Sequence, residues 1–203
     1  LRASCAALVE RHEVLRTTFV ERDEQTVQVV HPAGDFSLHV DPWVDTGRKD
    51  PISDYVQAQT ARPFDLQHGP LRRMSLLQVA EQEHVLVLRV HHIVADGWSM
   101  PILVNDLVQL YVGCTQGQAA TLPALAIQYG DYAIWQRNWM DAGERERQLA
   151  YWLEKLGGEQ PVLELPADRA RPTVPSGVGA RVAIDVSEAL LAALKALAQQ
   201  QGV

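Results

Sequence analysis

The chain has 203 residues, 47% of them hydrophobic and 21% charged, enough apolar mass to bury a full core in one domain or one and a half. Its 18 Lys and Arg against 25 Asp and Glu give a net charge of −7 with His neutral, which speaks against nucleic acid or an anionic membrane as a partner. Cys5 and Cys114 form no CxxC and no cluster, and no apolar run approaches the roughly 20 residues that span a bilayer, so a zinc or disulfide scaffold, secretion and membrane insertion are not expected and a cytoplasmic location is.

Leu1, Cys5, Leu8, His12 and Leu15 recur at steps of four and three and predict one face of an opening helix. Leu15 to Val20 and Thr26 to Val30 read as strands around the polar turn Glu21 to Gln25, and Phe36 to Val40 as a weaker third. Ile52 to Thr60 is a short helix that must end before Pro63. Leu71 to Val79 and His84 to Val90 are the clearest strands, split by the charged turn Glu81 to Glu83; the second is apolar on nearly both faces and predicts a central position in its sheet. From Ser99, a candidate N-cap, to Val112 the pattern is helical, with Ile102, Leu103, Leu107, Leu110 and Tyr111 on the inward side. Helices over Ala126 to Trp139 and Glu144 to Leu156 follow, then a stretch with four prolines and four glycines between Gly157 and Gly179 that reads as a linker. Ser187 caps a last helix with an apolar face of Leu190, Leu191, Leu194, Leu197 and Ala198, stopped at Gly202. Both ends of the chain read as cuts in something longer.

Generic motifs fail: there is no dinucleotide or phosphate loop, no HExxH and no GxSxG. One dense segment remains, His91-His-Ile-Val-Ala-Asp-Gly-Trp-Ser99, placed where a strand ends and a helix begins, a common ligand position in α/β folds. A metal site built from His91, His92 and Asp96 is disfavoured, because neighbours on a strand point to opposite faces. A triad of His92, Asp96 and Ser99 is disfavoured too, because the carboxylate must reach the imidazole nitrogen remote from the serine. A third reading is one histidine acting as a lone base while Asp96 pins the turn; two satisfied histidines at a strand end are the bland alternative.

The segment His91 to Ser99 resembles the HHxxxDG signature, in its HHxxxDGWS form, of condensation domains of nonribosomal peptide synthetases. Arg11-His-Glu-Val-Leu-Arg-Thr-Thr-Phe19 matches the RHExLRTxF motif of that family, and Tyr129-Gly-Asp-Tyr-Ala-Ile-Trp135 resembles YxDFAVW with Tyr132 and Ile134 substituted. The resemblance extends through Leu165-Pro-Ala-Asp-Arg169; the family's opening motif does not precede Leu1, and its later motifs do not follow within the chain. It implies an α/β, chloramphenicol-acetyltransferase-like sandwich lobe with a mixed sheet and flanking helices over residues 1–156. A linker or crossover at 157–180 and the start of a C-terminal lobe at 181–203 complete the expected organisation.

By the same resemblance, the reaction joins a carrier-bound acyl or peptidyl thioester to the amine of a carrier-bound amino acid. No bound cofactor is implied: phosphopantetheine arms arrive on upstream and downstream carrier domains, beside an adenylation domain. An α-amino group, with a reference pKa of about 7.7–8.0, must be neutral to attack, and an imidazole with a reference pKa near 6.5 suits its deprotonation. That role falls on His92, as base or as anchor of the amine. His91 is expected to turn inward to the backbone, Asp96 to pair with Arg16 or else Arg11, and Gly97 to leave room at a tunnel wall. Trp98 and Trp135 are expected in the core, and Arg137, Arg145 and Arg147 on a solvated face with Glu144 and Glu146. The RHE of the second motif and the Trp-Ser after Asp-Gly favour an L-donor and an L-acceptor; an epimerisation domain or a non-catalytic docking piece are the alternatives.

Overall fold

Helix α1 (Arg2–Arg11) turns Ser4, Cys5, Leu8 and Val9 inward, of which Cys5 and Leu8 belong to the stripe its spacing predicts, while His12 and Leu15 of that stripe lie beyond its end. At His12 the backbone becomes extended, and a 3-10 turn over Glu13–Arg16 carries Leu15 into the same core. Strands β1 (Thr17–Arg22) and β2 (Gln25–Val30) pair antiparallel from Thr17 opposite Val30 to Arg22 opposite Gln25. Their two-residue turn puts Asp23 at φ 48° and Glu24 at φ 61°.

The computed structural model describes residues 1–34, 36–42, 50–118, 122–163, 166, 168–170, 172–174, 176–177, 179 and 182–203. Two units divide the chain, Leu1–Lys155 and Leu156–Val203. In the first, β3 (His39–Pro42) runs parallel to β4 (Arg72–Gln78), and β4 pairs antiparallel with β5 (His84–Val90). Between β3 and β4 lies α2 (Pro51–Thr60), whose N-cap Asp50 accepts from Ser53 N at 3.0 Å.

The sheet order β3-β4-β5 corrects one expectation: among the described residues β4 is central and β5 is the outer strand. The two apolar faces of β5 reflect cover on both sides instead of a central position. Leu86, Leu88 and Val90 pack on the helical core, while Arg89 on the other face donates to the Thr60 and Arg62 carbonyls at the end of α2.

Helix α3 (Ser99–Thr115) lies against α1 and buries Leu103, Asp106 and Leu107; Ile102 and Tyr111, expected inside, flank that stripe and are exposed. The core joins α1, α3 and the sheet through Cys5, Leu8, Leu15, Met74, Leu103 and Leu107. Leu8, Leu15 and Leu71 are fully buried, and each contributes on the order of 2 kcal/mol of apolar transfer.

Helix α4 (Tyr129–Trp139) begins three residues later than expected because Gln128 caps it in a reciprocal box with Asp131. It meets α5 (Arg145–Leu156) at a kink over Met140–Glu144, where Gly143 takes φ 105°. Neither helix has a buried residue.

In the second unit, α6 (Glu188–Gln201) starts at Ser187, whose Oγ accepts from Leu190 N, and stops at Gly202 with φ 72°. Its leucines are about half exposed. Of the stretch read as a linker, residues 164, 165, 167, 171, 175, 178 and 180 lie outside the described residues, part of the Leu165 to Arg169 resemblance with them; the described remainder forms no helix or strand.

Candidate active site

The strand ladder places the first histidine. His91 N donates to Leu71 O at 2.9 Å, one rung past β5, and its carbonyl accepts from Val94 N at 3.0 Å to start the turn. The half-buried His91 ring accepts from Ile93 N at Nδ1, 3.0 Å away, and stands edge-on to Phe64 with centroids 5.9 Å apart. Val94 and Ala95 plug the turn into the core. The intervening His92 is exposed, and among the described residues nothing hydrogen-bonds its imidazole.

Asp96 closes the turn and opens the helix. Its Oδ1 accepts from Trp98 N at 3.1 Å, Ser99 N at 2.8 Å and Ser99 Oγ at 2.6 Å, and its carbonyl accepts from Met100 N. Ser99 is thus the first residue of α3 and not its cap, and Asp96 ties down the turn that leads into the helix. The Ser99 hydroxyl, then the Ser99 and Trp98 N–H groups, hold this exposed carboxyl below the usual carboxylate range.

Neither expected arginine pairs with Asp96. Arg16 donates to His31 O and to Glu13 Oε1. Arg11 Nε donates to Asp106 Oδ2 at 2.9 Å, and the same oxygen accepts from His12 Nε2 at 2.9 Å. The physical reason is that Asp96 spends its acceptors on the turn, whereas Asp106, buried in α3, needs the donors more. Gln128 completes the support by donating to Arg11 O at 2.9 Å and accepting from Glu13 N at 3.2 Å. Asp106 and Gln128 were missed from sequence. The signal for Asp106 was an acid on the apolar stripe between Leu103 and Leu107; Gln128 carried no signal beyond its place before a helix.

Two hollows meet at the loop. One, of about 390 Å³, is lined by His12, His92, Asp96, Ile102, Ile127 and Tyr129 on the α3–α4 side. The other, of about 720 Å³, is lined by Phe64, Arg89, His91, His92, Gly97 and Met100 on the β5–α2 side. His92, Ala95 and Asp96 belong to both. A Cβ on Gly97 would meet no protein atom within 4 Å, so it would project into open space at the larger hollow.

Trp98 is 87% exposed and Trp135 55% exposed, which corrects their expected place in the core. Trp98 sits in the first turn of a helix that starts at the surface, and Trp135 stacks in an exposed row with Tyr132 and Trp139. On the charged face, Arg147 Nε donates to Glu144 at 2.8 Å and Arg145 to Asp141; Arg147, then Gln148, hold the Glu144 carboxyl down to about 2. Among the described residues no three His, Cys, Asp or Glu side chains converge as metal ligands, and no helix is long and apolar enough to cross a membrane.

A family model described as "Condensation domain" matches residues 1–203. One of the linear gramicidin synthase proteins of Brevibacillus parabrevis is 46% identical over 202 residues, which is 98% of this chain and 3% of that protein. The solved X-domain from teicoplanin biosynthesis is similar at TM-score 0.75 and 34% identity, covering 86% of this chain and 39% of that one. The solved epimerization domain from the third module of tyrocidine synthetase B is similar at TM-score 0.69 and 26% identity, covering 84% and 39%. The chain thus spans a few per cent of the curated relatives and about two-fifths of these structures. The α/β, chloramphenicol-acetyltransferase-like lobe implied by the motifs is the fold it shares with them.

Proposed function

Because the chain belongs to the condensation-domain family, we propose that it supplies the His92 side of a site that forms an amide between two carrier-bound substrates. The observation that carries this reading is the exposed His92 imidazole, without a hydrogen-bond partner among the described residues, standing where two hollows meet. Each hollow receives one thioester-bearing phosphopantetheine arm, from an upstream or a downstream carrier domain, with an adenylation domain alongside. His92 takes up or holds the proton of the attacking α-amine, a role in which a placed imidazole contributes roughly 10²–10⁴-fold. His91 and Asp96 act through the loop: one fixes the strand end, the other ties down the turn into α3, and both aim His92. Gly97 keeps the larger hollow open.

In this reading residues 1–156 are an N-terminal lobe, 157–180 a crossover and 181–203 the start of a second lobe. The RHE of Arg11 to Glu13 and the Trp98-Ser99 pair support an L-donor and L-acceptor, and the free Cys5 and Cys114 suit the cytoplasm. The likeness to an epimerization domain supports a second reading, inversion of a carrier-bound residue without amide formation.

The test uses the parent synthetase with donor- and acceptor-loaded carriers, followed by mass spectrometry of the carrier-bound product. His92→Ala is expected to lower amide formation at least about 100-fold with the melting temperature unchanged. Wild-type turnover by this variant would remove His92 from the site, and inversion at the donor α-carbon without amide would establish the second reading.

A further inference from the structure

Three arginines gather beside α2. Arg73 and Arg89 face each other across β4 and β5, with guanidinium carbons 4.6 and 5.2 Å from the Phe64 ring centroid. Arg73 donates to the Arg62 and Pro63 carbonyls at 3.0 and 2.7 Å, and Arg89 to the Thr60 and Arg62 carbonyls at 3.1 and 3.0 Å. These bonds satisfy carbonyls left open at the end of α2.

The charge itself is left over. Among the described residues no carboxylate pairs with Arg62, Arg72, Arg73 or Arg89, although these four line one hollow of about 380 Å³ with His39 and Ser75. Arg89 Nη1 and Arg72 Nε are buried without a partner. Burial first, then the neighbouring Arg73 and Arg62, lowers Arg89 from its ordinary value, the direction that crowding by like charge imposes. Arg62 and Arg89 also line the larger hollow that reaches His92 and Gly97.

We propose that this arginine cluster is a phosphate-binding site, and that it takes the phosphate of a carrier's phosphopantetheine arm whose thioester lies toward His92. The proposal rests on the condensation reading above. Guanidinium groups bind phosphate oxygens through paired, charge-assisted hydrogen bonds, and the anionic phosphodiester that links the arm to its carrier relieves part of the mutual repulsion of the arginines. Arg62, which lines the hollow with an exposed side chain that makes no hydrogen bond among the described residues, supplies donors for it.

The experiment compares an aminoacyl-phosphopantetheine thioester with the aminoacyl-pantetheine thioester, which lacks only the phosphate, in the parent synthetase. Arg62 is the residue to change, because its side chain is exposed and makes no hydrogen bond within the protein among the described residues. Wild type is expected to favour the phosphate-bearing substrate in kcat/KM, Arg62→Gln to cut that preference roughly ten-fold, and Arg62→Lys to restore part of it. An equal preference in wild type and Arg62→Gln would overturn the site. Calorimetric binding of phosphopantetheine against pantetheine gives the same comparison without turnover. A parent that forms no amide but loses phosphopantetheine binding in Arg62→Gln therefore refutes the condensation reading and keeps the site. Inorganic phosphate bound as tightly as phosphopantetheine would make free phosphate the ligand and overturn the assignment to the arm.

Discussion

A carboxylate that accepts three hydrogen bonds from the two residues following its glycine is committed to shape, and that governs how Asp96 variants behave. Asp96→Ala removes these bonds, so α3 should fray at its start and the protein should melt earlier by circular dichroism. Asp96→Asn keeps an acceptor oxygen in place and should melt close to wild type. The pH dependence has a definite sign. The folded carboxyl titrates below its ordinary value, so its contribution is complete above about pH 4 and fades as pH falls through the lowered folded value. The melting difference between wild type and Asp96→Ala should therefore shrink in acid. Asp106 is the opposite case, a buried acid holding Arg11 and His12 together. Asp106→Asn strands Arg11, and chemical denaturation should show a loss on the order of 3 kcal/mol.

Among the elements, the β1–β2 hairpin carries the plainest strain. Asp23 and Glu24 both take positive φ, as a type I′ turn requires, and the Glu24 side chain is exposed there. Glu24→Gly gives the turn its preferred second residue and should raise stability by up to about 1 kcal/mol in a denaturant titration. Most elements were legible in the sequence because each carries its own local signal: α1 through Cys5 and Leu8, β4 and β5 through apolar runs split by the charged turn Glu81 to Glu83, α6 through Ser187 and its leucines. What was not legible depends on neighbours far along the chain. The parallel pairing of His39 with Ser75 and the outer position of β5 are choices of partner, and no local pattern encodes them. The site divides in the same way. The loop from His91 to Ser99 announced itself, but the choice of Asp106 over Asp96 as the partner of Arg11 is decided by which acid is buried.

At the scale of the molecule, apolar surface is unevenly covered. The first unit has a closed core, yet α4 and α5 bury no residue and expose Trp135, Trp139, Leu149 and Trp152 by 41–55% each, and the leucines of α6 are about half exposed. Residues 1–203 expressed alone should therefore self-associate, with sedimentation coefficients that rise with concentration. Mixed with loaded carriers, the same chain should form no amide; product above background, abolished by His92→Ala, would show that these residues suffice. The contacts that shape the loop come from close by: Leu71, Ile93, Val94, Ser99 and Met100 hold its backbone, and all lie in the first unit. A chain spliced after Lys155 would thus inherit the loop ready-made, whatever sequence is joined to it, and the later half becomes exchangeable without redesigning the setting of His92.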